Sequence, residues 1–407
     1  MAIELSRGSK VKRLWALARF TFAPSISPLV VGFTNFLLIY IAAAGEFNLS
    51  VYKVTSVTVF LALSDQMADF GRRLQILKKS NQFNPDFSSY QLVSFLGAAA
   101  LYWPFNYVVP ESMTVEAGLV ICAALSPNVS LPFITLRRHL CFYLDALAIT
   151  AARVFLFVLI SFGVDVVIAF GLAYVVGYFI AVIMVNLAGV GYVVRSETGG
   201  RQASLLSNIS APNYISQGIS VMANRAPLIV GAYFLSDQNY AGLAVIYSGM
   251  GLASILYLAT VGRMYTVDAL TSVARGTMAQ ATLVFYAFIY VALAFVVGPI
   301  FAVAGYLPVE VRDYQHAELG LVCLACAAQS MNHFLRFLAT SGCEEGLMRD
   351  TAMCVITIAL IGGAVTLGVY LLDAFNPPGD TITFLWLWLA SELALVLVRW
   401  PNREVRQ

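Results

Sequence analysis

The feature that most constrains this chain is a succession of long apolar stretches separated by short polar or charged breaks. Twelve can be drawn, at about 16–44, 51–70, 89–109, 113–134, 139–162, 166–190, 209–234, 239–262, 280–304, 316–338, 351–372 and 381–399. A helix rises about 1.5 Å per residue, so ~20 apolar residues cross the ~30 Å hydrocarbon layer of a bilayer. Almost every stretch meets that length. Composition agrees: 60% of the 407 residues are hydrophobic and only 11% are charged, against about a quarter charged in a soluble domain. The expected fold is an all-α polytopic membrane protein of twelve transmembrane helices. Soluble enzymes, nucleic-acid binders and disordered regulators are excluded on this arithmetic.

The basic residues set the expected orientation. With a cytoplasmic N-terminus, 20 of the 24 Lys and Arg residues fall in inside segments, as the positive-inside rule requires. Lys53 and Arg312 fall outside, and Arg153 and Arg225 fall within spans. Both termini are thus expected on the cytoplasmic side of a plasma (inner) membrane. The first 15 residues are polar and basic, and the first stretch is too long for a signal-peptide core, so it reads as a retained helix. The outside turns are short and acidic, carrying Glu46, Glu111, Asp165, Asp237, Glu310 and Asp313. None is large enough to hold an acceptor substrate, which argues against a membrane enzyme such as an oligosaccharide polymerase. No Ser/His/Asp spacing, P-loop or metal-ligand cluster is present. Cys323 and Cys326 form a C-x-x-C inside an apolar helix, where small packing residues are the simpler reading. No cofactor is expected, and work against a gradient would draw on Na+ or H+.

The chain shows a six-plus-six organisation. Ala23-Pro24 near the inner end of the first span is matched by Ala211-Pro212 in the seventh. Glu46 precedes Arg72 by 26 residues across the second span, and Asp237 precedes Arg263 by 26 across the eighth. Six spans separate the copies, so the halves share one orientation and enclose a cleft along the membrane normal, as in parallel-repeat transporters. The expected division is a first bundle at 1–190, a cytoplasmic linker at 191–207 and a second bundle at 208–407. Pro24, Pro28, Pro212 and Pro227 place kinks in the first helix of each half.

Ionisable residues within the hydrocarbon are costly and mark functional candidates. Arg225 lies about twelve residues, or ~18 Å, from the outer end of its span. Arg153 is comparably deep, with Asp145 two turns away, and Glu392 sits in mid-span. Asp65, Asp69 and Arg73 follow one another at intervals of four, which suits a pairing ladder. Arg19 and the pair His333 and Arg336 lie near inner span ends. Several guanidinium groups around a wet cleft favour an anionic cargo, because arginine binds phosphate through paired donors. Glu392, Asp65 and Asp69 are the candidates for coupling to a cation.

Two stretches carry a resemblance. Val31–Gly71 runs from a polar-spotted span through a short acidic turn to Ala68-Asp69-Phe70-Gly71, and Ser210–Gly262 repeats it through Asp237-Gln238-Asn239-Tyr240-Ala241-Gly242-Leu243. In these the chain resembles the polysaccharide (O-antigen-type) flippases of the multidrug/oligosaccharidyl-lipid/polysaccharide exporter superfamily. That resemblance implies a V-shaped pair of bundles moving a polyprenyl-(pyro)phosphate-linked glycan to the outer leaflet. It implies partners among membrane lipids and other polysaccharide-assembly membrane proteins, and no nucleic acid. It also implies basic cavity residues, here Arg225 and Arg19, then Arg72 and Arg263; Arg153, Asn35 and Asn224 are further candidate substrate-binding residues within the spans. The alternative is a major-facilitator transporter of a small solute. Its signature would fall at Asp69-Phe70-Gly71-Arg72-Arg73, which lacks the first Arg of that motif.

Overall fold

The computed structural model describes residues 26–69, 87–123, 125, 139–187, 211–249, 251–252, 316–340, 352, 355 and 381–399. These residues are helical apart from their turns, and no strand occurs among them. The helices are α1 (Ile26–Ala43), α2 (Val51–Asp69), α3 (Phe87–Val108), α4 (118–123), α5 (His139–Ser161), α6 (Val166–Leu187), α7 (Ala211–Phe234), α8 (237–249), α9 (His316–Thr340) and α10 (Thr381–Arg399). Ten of the twelve expected spans have their counterparts here; those at 280–304 and 351–372 lie outside the described residues or nearly so.

Local chemistry sets the ends. Gly163 takes a φ of 76° after α5, which lets its N–H reach the Ile160 carbonyl at 2.9 Å and the Val164 N–H reach Leu159 at 3.1 Å. This double closure satisfies carbonyls that a helix end leaves open, and glycine adopts the left-handed conformation without a Cβ clash. Asp165 then caps α6, its Oδ1 accepting the Val167 N–H at 2.8 Å. The fourth span starts later than expected, at 118 rather than 113. Asn106 explains the delay: its side chain pairs with both backbone groups of Val115 at 2.8 and 3.0 Å, holding that residue extended against α3.

The two halves also turn differently at the marks that suggested a repeat. Seven residues, including a 3-10 turn at Glu46–Asn48, separate α1 from α2. Only two separate α7 from α8, so Asp237 opens its helix while Glu46 precedes one by five residues. Equal sequence spacing does not put Glu46 and Asp237 at equal places.

The interior is apolar, as in a soluble protein, but large apolar side chains also cover the outside. On α10, Phe384, Leu385, Trp388, Leu389, Glu392, Leu395 and Val396 are buried at helical spacing, while Trp386, Leu393 and Leu397 face outward. Across the molecule Trp103, Tyr107, Phe162, Leu187 and Leu397 are 77–90% exposed. A soluble chain does not present so much large apolar surface; lipid as the solvent accounts for it. Among the described residues, 26–43 and 166–184 alone are continuous enough to span on length and hydropathy. The other helices are interrupted by polar residues, and those residues are turned inward: Thr55, Ser56, Arg153, Gln329, Asn332 and Glu392 are all buried. In hydrocarbon a polar group must find a protein partner, so the interruptions mark the interior. Helix α1 packs on α2 and α5, α5 on α6, α2 on α3, and α9 on α10; α7 packs on α2 and α10.

Candidate transport site

Three polar groups stand out, one at the end of the molecule bearing the α1–α2, α3–α4 and α7–α8 turns and two at mid-helix. At the end, α2 meets α8. The Tyr52 and Tyr240 rings stack with centroids 4.3 Å apart and an interplanar angle of 2°. The Tyr52 hydroxyl donates to Asp237 Oδ1 at 2.9 Å, and the buried Tyr240 hydroxyl points at Met113 Sδ, 3.6 Å away. Nearby, the Tyr233 hydroxyl donates to the Val108 carbonyl at 2.6 Å. These contacts join helices of the first six spans to α7 and α8 at this end. The Lys53–Glu116 ion pair at 2.6 Å sits on the same rim, but both groups are solvent-accessible and such a pair contributes little.

The second group lies between α7, α8, α9 and α10. Gln329 and Asn332 are three apart on α9, and Trp388 and Glu392 four apart on α10, which puts each pair on one helix face. Glu392 is 5% exposed. Its carboxylate accepts Asn332 Nδ2 at 2.6 Å, Trp388 Nε1 at 3.3 Å and Gln329 Nε2 at 3.4 Å. Asn332 Nδ2 also donates to the Glu392 carbonyl at 2.9 Å, while its Oδ1 is buried without a hydrogen-bond partner. Gln329 Nε2 further donates to the Asn224 carbonyl at 3.1 Å, and the Tyr247 hydroxyl donates to that same carbonyl. Asn224 lies one turn before Pro227, which sits inside α7. Proline supplies no N–H to the preceding turn, and donors from α8 and α9 serve the turn it loosens. Arg225 and Glu392 both act electrostatically on Tyr247. Arg225 is half-buried, nine residues or ~14 Å from the end of α7 at Phe234. The count of twelve from sequence runs to the acidic turn at Asp237; measured to the end of the span at 234, sequence and structure agree on nine. Among the described residues no carboxylate lies at ion-pair distance from it.

The third group lies between α1, α5 and α6. Arg153 is 5% exposed. Its Nη1 donates to Asn35 Oδ1 at 3.0 Å, and its guanidinium lies 5.4 Å from the Phe170 ring centre and 5.8 Å from that of Tyr174. Both distances are near the ~6 Å reach of a cation–π contact, so the rings offset only part of the several kcal/mol that desolvating the cation costs. No carboxylate pairs with it among the described residues, and Asp145, whose side chain lies outside them, is two turns away.

Of the residues expected to carry function, Glu392, Arg225 and Asn224 share one cluster, and Arg153 and Asn35 share another. Arg19, Arg72 and Arg263 lie outside the described residues, as do the side chains of Asp65, Asp69, His333 and Arg336. Gln329, Asn332 and Tyr247 were missed because single polar residues in apolar stretches look unremarkable alone. Their signal was spacing: Gln329 and Asn332 repeat at i, i+3 on the α9 face that carries buried Val322, Ala325 and Cys326.

This arrangement of helices superposes on the crystal structure of a mutant of VcmN, a MATE transporter from Vibrio cholerae, with a TM-score of 0.50. The match covers 94% of this chain and 95% of that one at 14% identity. The fold is that of a MATE transporter. A eukaryotic MATE transporter, AtDTX14, aligns over 95% of both chains at 13% identity, with a TM-score of 0.44. No protein-family model matches the chain, and no curated protein matches it in sequence. The outward apolar faces are those of a multi-pass membrane protein.

Proposed function

We propose that the protein is an alternating-access transporter that moves a lipid-(pyro)phosphate-linked oligosaccharide from the cytoplasmic to the outer leaflet for cell-surface polysaccharide synthesis. The observation that carries this reading is Arg225: a half-buried guanidinium deep in α7, with no carboxylate at ion-pair distance among the described residues. A cation held at that depth is costly unless an anion or water shares its site. The MATE fold supports transport by rocking bundles, and the Tyr52–Tyr240 contact across the halves supports a state closed at that end. In this reading Arg225 and Asn224 hold the charged head of the cargo. By resemblance Arg19, Arg72 and Arg263 line its path from the cytoplasmic mouth. Glu392, with Asn332 and Gln329 around it, couples the cycle to Na+ or H+.

Native mass spectrometry of protein purified from its own host tests the reading. A co-purified polyprenyl-pyrophosphate oligosaccharide that is lost in Arg225→Ala is expected. Absence of any lipid-linked sugar, with stabilisation by a small soluble solute instead, would assign the chain to transport of a small solute.

A further inference from the structure

We propose that the turn between α3 and α4 is a strap that closes the seam between α2 and the α7–α8 pair, with Met113 as its plug. The turn is built to keep its shape. Its 3-10 segment at Glu111–Met113 is closed by the Met113 N–H on the Pro110 carbonyl at 2.8 Å and by the Thr114 hydroxyl on the Glu111 carbonyl at 2.9 Å. Asn106 of α3 holds the far limb through both backbone groups of Val115. Along the turn, exposed Glu111, Ser112, Thr114 and Glu116 surround buried Met113 and Val115. A fixed backbone thus presents one long, flexible apolar side chain inward, and methionine is well suited to fill an irregular gap.

The socket for that side chain has walls on both sides of the seam. The turn packs on α2, and its Glu116 pairs with Lys53 of that helix. From across the seam comes Tyr240 of α8, fully buried, its hydroxyl 3.6 Å from Met113 Sδ and its ring face covered by Tyr52. At the root of the turn, the Val108 carbonyl accepts the Tyr233 hydroxyl of α7. Met113 is 0% exposed, and its burial lasts only while α2 and α8 stay together. A thioether is a weak acceptor, so the Met113–Tyr240 contact seals by filling space and releases without breaking a strong bond. When the seam parts, the turn stays with α2 and α3 through Lys53 and Asn106, and Met113 is drawn out. The inference goes beyond the transport reading and holds whatever the cargo is.

The test uses full-length purified protein carrying Val108→Cys and Tyr233→Cys, two positions that meet across the seam. A short bis-methanethiosulfonate tethers them, and a reductant that is then removed frees them again. A pulse of hydrogen peroxide transfers one oxygen atom to each accessible thioether sulfur and leaves as water, and peptide mass spectrometry counts the sulfoxide at each methionine. The freed protein is expected to oxidise Met113 at least about tenfold faster than the tethered one, while Met222 of α7, 42% exposed, reacts equally in both. Equal rates at Met113, fast or slow, overturn the strap. A second measurement needs no tether. Ser56 of α2 is buried, and in a Ser56→Cys background Met113→Ala is expected to raise labelling of that cysteine by a bulky maleimide about tenfold. Met113→Leu refills the socket and is expected to return labelling to within about threefold of the Met113 protein. Labelling unchanged by Met113→Ala, or raised as far by Met113→Leu as by Met113→Ala, also overturns it. Neither readout contains cargo, so failure of glycolipid transport leaves the strap standing, and failure of the strap leaves the transport reading untouched.

Discussion

Glu392 is a buried carboxylate held by three neutral N–H donors, from Asn332, Trp388 and Gln329. Hydrogen bonds to a charged group contribute about 1.5–3 kcal/mol each, so this network both fixes the side chain and makes its charge state matter. Glu392→Gln keeps shape and most of the packing while removing the charge. Folding is expected to survive with a loss of about 1–3 kcal/mol, and transport is expected to stop responding to an imposed Na+ or pH gradient. A transport assay in which the variant keeps the wild-type gradient response would refute the coupling role. At Arg225 the expectation is different. A lysine retains charge but loses the paired donors, so Arg225→Lys should reduce cargo affinity nearly as much as Arg225→Ala, by about tenfold to a hundredfold. Full complementation of a deletion strain by Arg225→Lys would contradict the fork. These two residues were legible from the sequence because a charge in an apolar stretch is conspicuous. Asn332 was not, since its importance comes from the carboxylate of another helix 60 residues away.

At the scale of elements, the decisive contacts are those between α2 and α8. The stacked Tyr52–Tyr240 pair contributes about 0.5–1.5 kcal/mol beyond its buried area, and the Tyr52–Asp237 hydrogen bond adds to it. Together they favour contact between the halves at this end by about 2 kcal/mol, close to a thirtyfold shift in the open-to-closed ratio. Tyr240→Ala combined with Tyr52→Ala is therefore expected to raise labelling of a cysteine placed at Ser56 by a membrane-impermeant reagent added from outside. Unchanged labelling would show that the seam holds no such bias. Helix α7 meets α8 closely at Gly231, where an added Cβ would come within 2.9 Å of Leu243 Cδ2. Gly231→Val should therefore destabilise the α7–α8 pair by about 1–3 kcal/mol, read as a lower unfolding midpoint. The sequence marked both regions, yet for other reasons. Asp237 stood out as part of a repeat and Tyr240 as part of a family-like turn, whereas the structure shows them gripping α2. Pairing between distant helices leaves no periodic trace along the chain, so it emerges only on folding.

For the whole molecule, the apolar stretches carried most of the fold. Of the four helices whose starts are described, α2, α6 and α8 begin within two residues of the limits drawn from hydropathy, because length and apolarity are what a bilayer imposes. Packing of α2 against α7 was beyond reach of that argument, and so was the late start of α4, set by the Asn106 side chain. The division into buried charges, Arg153 behind α1 and Glu392 between α9 and α10, was visible as two anomalies but not as two separate sites. The central claim is directional transport of a lipid-linked glycan, and proteoliposomes test it most directly. Glycolipid is supplied to the cytoplasmic-equivalent leaflet, and its arrival at the other is read by a soluble lectin. The account predicts time-dependent exposure that requires the protein and falls by at least tenfold in Arg225→Ala. Exposure equal to that of protein-free vesicles, with the wild type folded and correctly inserted, would contradict it.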